Sequence, residues 1–167
     1  MSARAGGDEL CQLAAFRIGS EEYAIDILRI HQIIQPLKIT KVPKAPRFVE
    51  GVVELRGAIL PVVDLRKRFD VRADEGRAQK YIIVSVAGRA VGLVVDAVSH
   101  VLRVPRAEIR PAPEFGFAGP DASCFSGACR QGDRILLVLD LDRLFSSSER
   151  AELGGAPVLA PGGKDEA

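Results

Sequence analysis

The stretch Phe48-Val49-Glu50-Gly51-Val52-Val53-Glu54-Leu55-Arg56-Gly57-Ala58-Ile59-Leu60-Pro61-Val62-Val63-Asp64-Leu65-Arg66-Lys67-Arg68-Phe69 decides how this chain folds. Two apolar runs of β type, residues 52–55 and 59–64, flank Arg56-Gly57 and read as a hairpin. Gly51 and Gly57 let the backbone turn where a Cβ would clash. Pro61 cannot donate to a ladder, so its run is expected to be an edge strand. Arg56 falls at the hairpin tip, where a long cation faces solvent and can reach a partner. A charged tip beside an apolar edge is the pattern of a protein-binding surface.

The same grammar extends outward. Residues 81–86 and 90–95 flank Ala87-Gly88-Arg89, and residues 125–130 and 134–140 flank Gln131-Gly132-Asp133, giving two further hairpins. Residues 13–18 and 22–25 are strands around Gly19-Ser20. Residues 27–34 are ambiguous, since Ile27, Ile30, Ile33 and Ile34 fit a helix as well as a strand. Pro36, Pro43 and Pro46 exclude a long helix up to Phe48. Helical pattern is confined to short pieces near 65–69 and 141–153. Strands such as 82–84 and 91–95 are apolar on both faces, which a lone open sheet would not be. Two β units packed on each other are therefore expected.

A faint internal echo supports that doubling. Val62-Val63-Asp64-Leu65 with Phe69 resembles Val138-Leu139-Asp140-Leu141 with Phe145, an offset of 76. Ala24-Ile25 before Ile30 and Ile33 resembles Gly92-Leu93 before Val98 and Val101, an offset of 68. Residues 1–9 read as a flexible arm and the Gly-, Ala- and Pro-rich 154–167 as a disordered tail, leaving 10–153 as the ordered domain.

Bulk composition narrows the function. The 167 residues suit one globular unit, and 47% apolar against 27% charged residues argues for a folded chain. Lys and Arg total 23 against 22 Asp and Glu, a net charge of +1, too balanced for a phosphate-coating domain. With 5% aromatics and no Trp, base-stacking platforms are scarce, which disfavours a barrel that binds single-stranded nucleic acid. No signal-peptide pattern and no run of about 18 apolar residues is present, so neither export nor membrane insertion is expected. Cys11, Cys124 and Cys129 form an odd set and read as reduced cytosolic thiols.

Catalytic constellations are missing from the pattern. His31 and His100 stand in no metal-ligand spacing and read as surface or packed structural histidines. Cys124 and Cys129 are five apart in CFSGAC, which is not a CxxC pair, so a thiol-dependent enzyme is the weaker reading. No phosphate-binding glycine loop or GxSxG elbow occurs. Asp64, Asp96, Asp140 and Asp142 follow apolar strands, where Asp ends pairing or caps a helix. Arg66-Lys67-Arg68 reads as the solvated face of a helical turn.

The string LRGAILPVVDLRKRF at 55–69 closely resembles the signature of the CheW family, the coupling adaptors of bacterial chemotaxis arrays. EEYAIDILRIHQII at 21–34, AVGLVVDAVSHVLRV at 90–104, IRPAPEF at 109–115 and GDRILLVLDLDRLF at 132–145 support it in the same order. The resemblance spans about residues 12–153. It implies an all-β fold of two SH3-like five-stranded β-barrels packed around a shared hydrophobic core, with short helical pieces and a C-terminal helix. It implies a cytoplasmic, non-catalytic adaptor without cofactor, monomeric in solution and ring-like in arrays. Such an adaptor bridges the regulatory domain of the histidine kinase CheA and the cytoplasmic tips of chemoreceptors. A relative serving a non-flagellar chemosensory pathway is the alternative. The receptor-binding groove would involve Ile30, Gly51, Arg56 and Val101, and the kinase contact Ile59 and Leu60 with the corresponding edge of the second barrel. Glu54, where the family often carries Asn, and Gln32, where an acid is frequent, depart from the pattern.

Overall fold

The computed structural model describes residues 9–46, 48–69, 79–111 and 124–153. Among these run strands β1 (Leu10–Ile18), β2 (Glu21–Asp26), β3 (Ile30–Ile34), β4 (Gly51–Leu55), β5 (Ala58–Asp64), β6 (Lys80–Val86), β7 (Arg89–Val95), β8 (Ala97–Pro105), β9 (Phe125–Gln131) and β10 (Arg134–Leu139). Helices are short: α1 (Leu65–Arg68), α2 (Leu141–Leu144) and α3 (Ser147–Glu152). The expected arm and tail lie outside the described residues, except Glu9. Its carbonyl accepts the Arg106 N–H at 2.8 Å, and its carboxylate meets the Arg106 guanidinium at 3.2 Å.

Turn chemistry places the hairpins where the sequence predicts them. Arg56 and Gly57 have φ of 53° and 85°, and Ala87 and Gly88 have 51° and 79°. Two consecutive left-handed residues are what a type I′ turn requires, and its twist matches that of the flanking strands. The ambiguous stretch 27–34 divides in two. The Asp26 carboxylate accepts the Leu28 N–H and caps a single 3-10 turn, Ile27–Arg29, before β3 begins. Asp64 and Asp140 likewise cap α1 and α2, as expected.

The strands form two five-stranded sheets, ordered β8-β1-β2-β10-β9 and β3-β6-β7-β5-β4. Each contains two hairpins joined by a parallel contact, β2 with β10 in one and β5 with β7 in the other. The layouts are the same under the replacement of β1–β5 by β6–β10, so the sequence echo is a structural repeat. The halves are not side by side, however. β3 leaves its own half to pair with β6, and β8 leaves its own to pair with β1. Each sheet is therefore built from both halves of the chain.

Both sheets close into barrels through one extra bridge. Thr40, beyond edge strand β3, exchanges two backbone hydrogen bonds of 2.8 and 2.9 Å with Val52 of the opposite edge, β4. Arg110, beyond β8, does the same with Ala128 of β9 at 2.8 and 2.7 Å. A glycine sits in each seam. A Cβ on Gly51 would lie 2.5 Å from the Thr40 carbonyl oxygen, and one on Gly127 would lie 2.8 Å from that of Arg110. This accounts for the glycine inside CFSGAC. Pro61 corrects the edge-strand expectation, because β5 lies between β4 and β7. Its partner Val52 spends its own N–H and C=O on Thr40, and pairing with β7 starts only at Val62, so no ladder bond is required of Pro61.

Among the described residues the apolar side chains gather in three clusters. Leu13, Ala15, Val104, Cys129 and Leu136 fill the first barrel. Val53, Leu60, Val62, Tyr81 and Ile83 fill the second. Between them Phe16, Ile18 and Ile25 of one sheet meet Ile82, Val84, Val91 and Leu93 of the other, with Phe125, Leu141 and Phe145. Each such side chain contributes roughly 1.5–3 kcal/mol on burial, so the middle layer fuses the barrels. The basic run at 66–68 is not a solvated face. Arg66 is buried, and only Lys67 of the three is exposed. The Arg68 guanidinium lies over the rings of Phe48 and Phe145 and donates to the Leu144 carbonyl and the Glu149 carboxylate. That bond holds the Glu149 carboxyl below its ordinary range.

Two measurements check these assignments. Gly51→Ala should lower stability by about 1–3 kcal/mol in urea titration. Gly92→Ala should have a smaller effect, since its Cβ would meet neighbours no closer than 3.5 Å. Glu149 has a depressed folded pKa, so its contribution is complete above the ordinary glutamate value of about 4.3 and fades as pH falls through that value and below. The stability gap between wild type and Glu149→Gln should therefore narrow between neutral pH and about pH 3.

Candidate protein-docking site

Ile30 opens β3 opposite Val84, half-buried and packed on the central cluster. Its position is fixed from the preceding turn. The Arg29 guanidinium donates to the Ser85 carbonyl at 2.6 Å and meets the Asp142 carboxylate at 3.0 Å. Leu28 beside it is 86% exposed, a residue the sequence reading missed. Only the single-turn cap at Asp26 could have signalled that Leu28 points away from the sheet.

Arg56 stands at the β4–β5 tip, and its Nη1 donates to Gln32 Oε1 at 3.2 Å. Gln32 and Arg56 thus meet between β3 and the β4–β5 tip, while Ile30, across a register shift in β3, faces the shared layer with Val84. Gly51 lies in the closing seam, but it accommodates the chain's own Ile39–Thr40 rather than an outside partner. Val101 stands on β8, the edge strand of the other sheet, and is 52% exposed beside exposed His100. Ile59 is 58% exposed, whereas Leu60 is 3% exposed inside the second barrel. Adjacent strand residues face opposite ways, so a contact at this edge is available to Ile59 and closed to Leu60.

Of the residues singled out for chemistry, none forms a metal cluster among the described residues. Burial pushes the Cys129 thiol up, which keeps it protonated and a poor nucleophile. Cys11 shares the same barrel core.

A buried ionic group was not legible in the sequence. Arg66 donates to both Asp64 carboxylate oxygens, Nε to Oδ1 at 3.0 Å and Nη2 to Oδ2 at 2.9 Å. Its Nη1 reaches Asp96 Oδ1 at 3.3 Å, while Asp96 Oδ2 accepts the Gly19 N–H at 2.6 Å. All three charged residues are buried. The bond to Asp64 raises the Arg66 pKa above its ordinary value despite the opposing effect of burial. The group fastens α1 of one sheet to the β1–β2 turn of the other, at the point where the chain crosses from β7 to β8.

The whole arrangement can be set against known proteins. The model of the CheW-like domain matches residues 12–149, through both barrels and every residue of the candidate groove. The chain belongs to the CheW-like family. It is 40% identical over 139 residues to the chemotaxis protein CheW of Klebsiella aerogenes, covering 81% of this chain and 82% of that protein. It is 38% identical over 140 residues to the CheW of Rhizobium meliloti, covering 83% and 90%. The crystal structure of the scaffolding protein TtCheW from Thermoanaerobacter tengcongensis superposes with a TM-score of 0.74 at 32% identity. The match covers 84% of this chain and 96% of that one. The expected pair of SH3-like five-stranded units is thereby the observed fold, and the family is one of chemotaxis scaffold proteins. Among the described residues no helix is long and apolar enough to cross a membrane.

Arg66→Met should leave two buried carboxylates facing each other without a cation and cost about 3–5 kcal/mol. Adding Asp64→Asn and Asp96→Asn should recover most of that loss, since Asn still caps α1. Urea unfolding of the single and triple variants measures both effects.

Proposed function

We propose that this chain is a non-catalytic cytoplasmic adaptor that couples the tips of methyl-accepting chemotaxis proteins to the regulatory domain of CheA. The reading is carried by the family match over residues 12–149, which includes both barrels. Half-exposed Ile30 and exposed Val101 offer apolar side chains to a receptor helix, the helix-in-groove mode. Arg56 holds the hairpin tip against β3 through Gln32 and presents a cation beside that groove. Ile59 supplies the apolar anchor for the kinase domain. Recruitment of the adaptor to membrane-associated arrays follows from these two contacts.

The test uses the full chain with a soluble receptor-tip fragment and with the CheA regulatory domain. Each should bind at micromolar strength, about −8 kcal/mol. Val101→Glu and Arg56→Ala should each weaken the receptor fragment about tenfold, roughly 1.4 kcal/mol, with unchanged thermal unfolding. Ile30→Glu is the poorer probe, because Ile30 also packs on the core. Folded protein that binds neither partner would sink the reading.

A further inference from the structure

The connection from β3 to β4 concentrates positive charge in a nearly neutral chain. Residues 27–49 hold no Asp or Glu, while the whole chain carries a net charge of +1. Lys38, Lys41 and Lys44 recur at every third position of this connection. All three are exposed, and none pairs with a carboxylate among the described residues. Several other surface cations are matched, Arg29 by Asp142, Lys67 by Glu50 and Arg134 by Glu22.

The backbone beneath these lysines is pinned. The Tyr81 hydroxyl donates to the Leu37 carbonyl at 3.2 Å, and Leu37 and Ile39 pack against the core of the second barrel. Thr40 is held by the seam to Val52. Beyond it the Ala45 N–H donates to the Val42 carbonyl at 3.2 Å, with Pro43 and Lys44 between them. Lys44 has a φ of 67°. Proline followed by a left-handed residue makes a type II turn, whose second central position normally falls to glycine or asparagine. A lysine there is strained, and strain of this kind gathers where the display of a side chain matters. No carboxylate among the described residues offsets it.

We propose that this strap docks the acidic face of a partner helix. Lysines three residues apart are separated along the backbone by at most about 11 Å. One carboxylate per heptad recurs along a helix face about every 10.5 Å. Three lysines on a fixed backbone therefore match three successive carboxylates. A single-stranded nucleic acid needs rings to stack on, and residues 35–46 hold no Phe, Tyr or Trp. A lipid surface attracts lysines in any arrangement, so regular spacing and a strained turn bring it no advantage. Exposed ion pairs are individually weak. The strap thus selects among partners whose main contact lies elsewhere, favouring acidic helices and repelling basic ones. It is separate from Ile30, Val101 and Ile59 and stands whether or not those residues meet a receptor and a kinase.

An NMR titration of the full chain tests it. The probe is a designed alanine-rich helical peptide of about three heptads with one glutamate in each. At about 0.1 M salt, where screening sets in near 10 Å, the amide signals of residues 37–45 should shift with this peptide and stay still with its glutamine counterpart. The shifts should vanish at about 1 M salt, where screening acts within roughly 3 Å. Lys38→Glu/Lys41→Glu should weaken binding at least about tenfold. Arg103→Glu/Arg130→Glu makes the same change in net charge at exposed positions on other strands and should leave binding nearly unchanged. Lys44→Gly removes both the charge and the strain, so it should bind more weakly yet unfold at higher urea. Equal losses in the two double variants show attraction by net charge alone and overturn the proposal. A Lys44→Gly variant that binds as well as wild type, or unfolds more easily, overturns it too. So does an oligothymidylate or a phosphatidylglycerol vesicle that shifts the strap more strongly than the peptide. Receptor-fragment and kinase-domain binding by the same preparation separates the cases. A chain that binds both partners but not the peptide refutes this contact alone, and loss of both partners refutes the adaptor reading.

Discussion

Everything in this molecule depends on the reciprocal exchange of β3 and β8. Each half of the chain places two strands in one sheet and three in the other, so neither sheet exists until both halves are present. The middle apolar layer follows from this, because strands that serve two barrels must be apolar on both faces. Ile82 and Val84 face the shared layer while Tyr81 and Ile83 face the interior of the second barrel. The buried Asp64–Arg66–Asp96 group marks the crossing from β7 to β8, and its guanidinium satisfies carboxylates from both sides of it. A buried ion group of this kind adds little net stability over apolar packing. Its geometry instead fixes which turn of one sheet meets which helix of the other.

Much of this was legible in the residues, for local reasons. The hairpin at 52–64 is announced by its two-residue turn and its flanking apolar runs, and both are short-range properties. Doubling was legible because two-sided apolar strands need two partners. The exchange was not, since pairing between β1 and β8 joins residues as distant in the chain as Leu10 and Pro105 and leaves no mark on either strand's period. β8 itself was read only through Val98 and Val101. Its exposed Ser99, His100, Val101 and Arg103 break the alternation that signals a strand. Pro61 misled because the rule assumes that its N–H would be needed, and the seam at Thr40 removes that need. Arg66 misled because sequence composition cannot show that two distant carboxylates wait for one guanidinium.

The candidate groove divides along the same line. Arg56 was readable as a tip residue because the turn sets its place. Gly51 was readable as a site of close approach, but only the fold shows that the approaching backbone is the chain's own. Ile59 and Leu60 are neighbours in sequence and opposites in space, a distinction that follows from strand parity once the interior is known. Leu28 is displayed by one capped turn, and no periodic pattern reaches that scale.

The two seams have a further consequence. Thr40 and Arg110 lie in the connections that follow the exchanged strands, so each barrel is latched by the segment that also carries the chain back from its exchange. A duplicated ancestor whose latches close over exchanged strands could no longer be separated into working halves. One half alone keeps its hairpins and both residues of its latch, and loses the strands of the other half that lie between the latched edges. Gene fusion here is irreversible: the pair must be inherited, shuffled and lost as one piece.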